Sequence, residues 1–238
     1  MMDEHHTSGS QERPDRVVEW TEHERALWRT CEILVGLGRT GRWPDPIPTA
    51  FARQISTDEH IVTWSEFERG WYGAIGDGSY QSSTFVAGGF SPLGVMLGAA
   101  TLGASALGNS ARKARARKDA QQQWRRFDGG HLYVSTHGFY LLPGGVEVLA
   151  FPYSSILQAD LGAPGVLVAT ISMATGGQEQ FAVTTIWAEL LFAVWAMGHC
   201  PQHPRLANLG FLPREFVERV AYAGVWDTSP LRELGVGT

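Results

Sequence analysis

With 238 residues, 44% of them hydrophobic, the chain is long enough for one core-bearing domain with additions or for two small domains. A net charge of −5 excludes a global field that would draw nucleic acid or an anionic bilayer to the whole molecule. The two cysteines, Cys31 and Cys200, stand far apart and form no disulfide framework, which points to a reduced, cytoplasmic setting.

The first stretch, 1–16, is polar, has no apolar core of a secretory signal, and reads as a disordered tail. Residues 17–41 read as a helix and its closing turn. Val18, Trp20, Ala26, Leu27, Cys31, Leu34 and Val35 fall on one helical face, and Thr21 with Glu24 has the spacing of a capping box. The helix is expected to stop where glycine and proline accumulate in GLGRTGRWPDPIP. Residues 59–75 read as one or two strands, with Ile61, Thr63, Ser65 and Phe67 alternating against Val62, Trp64 and Glu66. From Gly78 to Ala111 there is no charged residue, and the next seven positions carry Arg112, Lys113, Arg115, Arg117 and Lys118. From 124 onward short β-like runs alternate with turn signals at Asp128-Gly129-Gly130, His137-Gly138, Pro143-Gly144-Gly145, Pro164-Gly165 and Gly176-Gly177, the pattern of an antiparallel meander. Residues 186–197 then predict a helix with a broad apolar face, Ile186, Leu190, Val194 and Met197, flanked by Trp187, Leu191 and Trp195. The end of the chain, 199–238, reads as a last amphipathic helix with Pro213 in its first turn, followed by a tail.

A meander that ends in one strongly apolar helix implies two small sheets closed at one end by that helix. The segments HLYVSTHGFYLL, VEVLAFPYSSILQADL, GVLVATISM, EQFAVTT and IWAELLFAVWAM resemble those of bacterial pleckstrin-homology-like and GRAM-like domains over 124–198, with 59–75 as candidate first strands. Arginine in place of lysine, with much alanine and glycine, fits a GC-rich bacterial genome. The fold class expected is therefore α+β, a pleckstrin-like small barrel or two-sheet meander capped by a C-terminal helix. To it are added an N-terminal helix and a Gly/Ala-rich helical insertion. The superfold serves lipid, peptide and protein binding alike, so the resemblance implies no single activity. A phosphoinositide site needs clustered cations, yet 124–198 has only Arg125 and Arg126 against Asp128, Glu147, Asp160, Glu179 and Glu189; no specific inositide is expected.

Residues 85–107 are long enough to reach across a hydrocarbon core, and the basic run would then sit on its cytoplasmic side. Gly94, Gly98 and Gly103 provide small-residue spacing for close helix packing. Pro92 and Gly88-Gly89 interrupt the first third, so a re-entrant hairpin fits better than a straight span. A soluble Gly/Ala-rich helix packed on a partner and a mobile loop remain alternatives. The residues singled out for membrane or partner contact are Gly94, Gly98, Gly103, Arg112, Lys113, Arg115, Arg117 and Lys118.

Other constellations argue against themselves. GLGRTG at 36–41 has the dinucleotide spacing, but RWPDPIP follows where a phosphate-binding helix would have to start. His199, Cys200 and His203 are three candidate ligands in one loop with no second cluster, and read as a helix-end loop. Glu66 and Glu68 share a strand face and read as a solvated row on an edge strand. GxSxG, P-loop and HExxH patterns do not occur. No catalytic residue, cofactor or metal is expected, and no nucleic acid. The function expected is a non-catalytic scaffold, membrane-associated through 85–118. The alternative is a soluble adaptor with the Gly/Ala segment packed in an oligomer.

Overall fold

The computed structural model describes residues 19–73, 123–173, 176–223 and 229–235. An N-terminal helix, α1 (Glu22–Thr40), precedes seven strands: β1 (Ile61–Gly73), β2 (Gln123–Ser135), β3 (Gly138–Pro143), β4 (Leu149–Pro152), β5 (Ile156–Ala163), β6 (Val166–Ser172) and β7 (Gln178–Thr184). Four helices follow: α2 (Ala188–His199), α3 (Pro204–Ala207), α4 (Arg214–Ala223) and α5 (Ser229–Glu233). The strands form one antiparallel sheet in the order β4-β3-β2-β1-β7-β6-β5. The class is α+β, as expected.

The sheet does not close into a barrel. β4 and β5 lie at its two edges and are joined through a single 3-10 turn, Tyr153–Ser155. Both edges are poor templates for another strand. β4 has four residues and ends on Pro152, which has no N–H to donate, while β5 is irregular between Ile156 and Gln158 and again between Leu161 and Ala163. Instead of a ladder, α2 helps close the opening, where the indole N–H of Trp195 donates to the Ile156 carbonyl at 3.2 Å.

The signal Asp128-Gly129-Gly130 is not a turn. These residues lie inside β2, a strand of 13 residues. The β1–β2 register slips between Arg69 and Gly70, so β2 has one extra residue there and bends. Asp128 fixes the bend through Arg69, whose Nε donates to Oδ1 at 3.0 Å. At Gly130 a Cβ would come within 2.1 Å of the Leu142 carbonyl oxygen, so only glycine allows β3 to approach so closely. The other turn signals mark hairpin ends: β2 reverses at 136–137, β3 at Gly144 and Gly145, and β5 at Pro164-Gly165, with φ of +73° at Gly165.

α1 starts on the capping box of Thr21 and Glu24 and ends at Gly41, with φ of 64° and its N–H donating to the Leu37 carbonyl. GLGRTG is thus a helix terminus. Ala26, Leu27, Thr30, Cys31, Ile33 and Leu34 are buried, so Ile33 joins the predicted face and Val35 sits at its margin. α2 is buried nearly all round. Ala188, Leu190, Leu191, Phe192, Ala193, Trp195 and Ala196 are inside, whereas Met197, expected on the apolar face, is 41% exposed. A helix apolar on every side must be covered on every side. The sheet covers α2 through β5 and β6, and α1 and α3 also pack on it. The C-terminal region is therefore more than one helix and a tail. Phe211, Leu212, Phe216, Val220 and Leu231 enter the same core, and Arg205–Asp160 (2.8 Å), Arg219–Glu24 (2.9 Å) and Arg39–Glu233 (2.5 Å) tie α3, α4 and α5 to β5 and α1.

Candidate functional site

Two features of the sheet bear on function. The first is the root of the insertion. β1 and β2 pair along their whole length, as far as Gly73 opposite Gln123. The chain between them, 74–122, therefore leaves and re-enters at one point of the sheet. Gly94, Gly98, Gly103, Arg112, Lys113, Arg115, Arg117 and Lys118, and the Gly/Ala-rich helical insertion expected around them, lie outside the described residues. So does the tail 1–16. Among the described residues no helix is long and apolar enough to cross a membrane.

The second feature is a groove along the N-terminal half of β1. β7 pairs with β1 only from Glu68 to Trp71, because β7 ends at Thr184 and the chain turns into α2. Side chains bridge the resulting split. Ser65 Oγ and Thr185 Oγ1 are 2.7 Å apart, and Trp187 Nε1 donates to the Trp64 carbonyl at 2.9 Å. Ser65 and Phe67 point inward and are buried, so Trp64, Glu66 and Glu68 face out. β1 is a central strand, which corrects the reading of Glu66 and Glu68 as an edge row: both are solvent-facing, Glu66 between β2 and the split, Glu68 between β2 and the end of β7. Trp64 is 52% exposed, stacks on Tyr133 at 6.3 Å and meets the edge of His131 at 5.6 Å. Two recesses flank Glu66, one of about 590 Å³ reaching from Trp64 to Glu22 on α1, the other of about 790 Å³ reaching from His131 to Gly165.

The far wall of the larger recess is set by a buried carboxylate that composition and spacing did not reveal. Glu189 is in the first turn of α2 and 1% exposed. Its Oε1 accepts the Gly165 N–H at 2.7 Å, and its Oε2 lies 3.0 Å from His23 Nε2. The hydrogen bond to Glu189 raises the His23 pKa; partial burial works against this, and the negative charges of Glu189 and Glu24 add to it. One side chain thereby locks α1, α2 and the β5–β6 turn together.

Beyond the groove the same sheet face is covered. Residues 42–60 run as an extended strap over β2 and β3. Phe51 packs against Tyr133 and Tyr140 at 5.1 and 5.0 Å, and the Tyr140 hydroxyl accepts the Gln54 and Ile55 N–H groups at 2.7 and 3.1 Å. Tyr140 donates in turn to Glu59, a fully buried carboxylate that also accepts from Ser135 Oγ at 2.8 Å and Ile55 N at 3.1 Å. Burial alone would raise the Glu59 pKa, but the donors from Tyr140, Ser135 and the backbone of Ile55 and Ser56 outweigh it and hold the group below the usual carboxylate value. The only sequence hint of Glu59 was its place just before an apolar strand.

The rejected constellations have structural uses. His203 Nδ1 accepts the Arg205 N–H at 3.2 Å and caps α3, and its ring meets Phe192 at 4.9 Å. His199 Nδ1 lies 3.2 Å from the Trp195 carbonyl. Among the described residues no group of three or more His, Cys, Asp and Glu is placed to hold a metal ion. Cys31 is buried, which pushes its thiol pKa up to about 12 and leaves no reactive thiolate. No family model matches the chain, and no curated protein matches it.

Proposed function

We propose that the protein is a non-catalytic, pleckstrin-like scaffold of the cytoplasm that docks to a membrane or membrane protein through residues 85–118. The observation that carries this reading is the joining of a charge-free run, 78–111, to five cations within seven residues, all between two strands paired to their ends. The strand order and the helix packed on the sheet support the pleckstrin-like half of the reading, although the sheet is open. The pairing of Gly73 with Gln123 constrains the mode of docking. A segment that crossed a bilayer once would leave these two paired residues on opposite faces. A re-entrant or surface-lying segment, with both flanks on one side, is the form compatible with the ladder. Gly and Ala contribute little transfer energy, so the cations matter. Each adds roughly 1 kcal/mol near an anionic leaflet.

The test is sedimentation with vesicles. The parent chain is expected to pellet with anionic vesicles at low salt and to stay in solution with neutral ones. Replacing Arg112, Lys113, Arg115, Arg117 and Lys118 with Gln should release it. A parent chain that ignores anionic vesicles at low salt would remove membrane docking and put the soluble adaptor in its place.

A further inference from the structure

We propose that the groove along β1 binds the cationic side chains of a partner, an extended segment bearing arginine or lysine, with Trp64 as the stacking surface and Glu66 as the counter-ion. The inference stands on described residues only and is independent of the membrane reading.

Three observations carry it. Trp64 is the most conspicuous departure from the burial pattern of the sheet: a large ring on a central strand, half open to solvent, backed by Tyr133 and His131 and so held in one orientation. A rigid, exposed indole face attracts a cation through its quadrupole, and the guanidinium of arginine fits it best. The molecule makes this contact elsewhere, where Arg219 lies over the Trp20 ring at 5.6 Å.

The second observation is charge. Glu66 follows Trp64 on the same strand face, and Glu22 closes the far side of the smaller recess. Glu66 is exposed, and its carboxylate, unlike its backbone carbonyl, has no hydrogen-bond or ion-pair partner among the described residues. The cation that lines this recess, Arg25, is already engaged, its Nε and Nη2 both donating to the Trp20 carbonyl at 3.3 and 2.8 Å. His23, in the other recess, is held by Glu189. Glu22 and Glu66 outnumber Arg25 around this recess, so a cationic ligand meets both an aromatic face and an acceptor.

The third is shape. From Trp64 to Glu68 the strand rises about 13 Å, the length of roughly four extended residues. The recesses on either side of Glu66 lie along that line, so alternate side chains of an extended segment could enter them. The split itself is filled by Trp187 and Thr185, so the segment would lie across side chains rather than add a strand to the ladder.

Fluorescence anisotropy on the full chain tests the proposal. The probe is a fluorescein-labelled peptide of alternating arginine and serine. The control has citrulline at every arginine, which keeps the shape and removes the charge. The arginine peptide should bind, and binding should weaken at high salt. The citrulline peptide should bind at least about tenfold more weakly, the effect of losing charge from both the stacked and the paired contact. Trp64→Ala should weaken the arginine peptide about two- to fivefold, and Glu66→Gln by a similar factor. Glu147→Gln, which removes an exposed carboxylate on the β3–β4 turn, should leave it unchanged and so shows that net charge alone is not responsible. Equal binding of the citrulline peptide, or unchanged affinity in both groove variants, would overturn the proposal. Tighter binding after neutralising Arg112, Lys113, Arg115, Arg117 and Lys118 would show that the chain's own cations occupy the groove, and would overturn the assignment to a partner.

Discussion

The outer face of the sheet is treated in opposite ways at the two ends of one short stretch, from β3 across β2 to β1. Over β2 and β3, Tyr140 lies under the strap 42–60, and Glu59 gathers Tyr140, Ser135 and the Ile55 N–H around a buried carboxylate. Over β1, a few ångströms away along the same ladder, Trp64 and Glu66 meet solvent. Both ends combine an aromatic ring with a carboxylate, so residue type does not separate them. What separates them is whether the chain supplies donors. A buried carboxylate persists only when every acceptor position is met, and a region so satisfied has no valence left for a ligand. The bare end has its aromatic face and its charge still available.

The largest effect should come from breaking the covered end. Glu59→Ala strands the O–H donors of Tyr140 and Ser135 and leaves the Ile55 N–H with the Tyr140 hydroxyl alone, and is expected to cost about 3–5 kcal/mol in urea unfolding. Tyr140→Phe removes one donor to Glu59 and the acceptor of two backbone N–H groups, and should cost about 1–3 kcal/mol. If either variant unfolds like the parent, the strap is not held by this network and the contrast between the two ends disappears.

The pH dependence sharpens the same comparison. Glu59 is depressed in the folded state, so its contribution is present above the ordinary glutamate value of 4.5 and is lost as pH falls through the lower folded value. Glu59→Gln should therefore flatten the acid limb of the stability profile. His23 behaves with the opposite sign. Its pKa is raised, so the stability from the His23–Glu189 pair is fully present below 6.5 and is lost as pH rises through the folded value. The parent's advantage over His23→Gln should shrink as pH rises above 6.5, as read by unfolding midpoints across pH. A gap between parent and variant that does not change with pH would show that the pair does not titrate with folding.

The smallest effects belong to the bare end. Glu66→Gln should shift stability by no more than about 0.5 kcal/mol, and Trp64→Ala, which loses its contacts with Tyr133 and His131, by about 1 kcal/mol. A loss of several kcal/mol in Glu66→Gln would place that carboxylate among the structural ones.

The sequence by itself determined the local elements. Thr21 with Glu24 marked the start of α1 because a capping box needs only four consecutive residues, and Gly41 marked its end because an αL terminus needs only one. Strand alternation and the turns at 136–137, 144–145 and 164–165 were legible for the same reason, since hairpin chemistry is short-range. The tertiary structure alone decided the rest. Asp128-Gly129-Gly130 has the composition of a turn, and only the approach of β3 to Gly130 makes it a bend within one long strand. Glu66 and Glu68 lie on a central strand because β1 pairs from Glu68 onward with β7, more than a hundred positions downstream. Glu59 and Glu189 carry no local mark, because what makes a buried carboxylate tolerable is the set of donors brought to it from distant strands. Periodicity likewise placed the apolar face of α2 around Met197, yet the inside is set by the sheet and α1 packing from different directions, and a helix covered that way no longer has a single face to read.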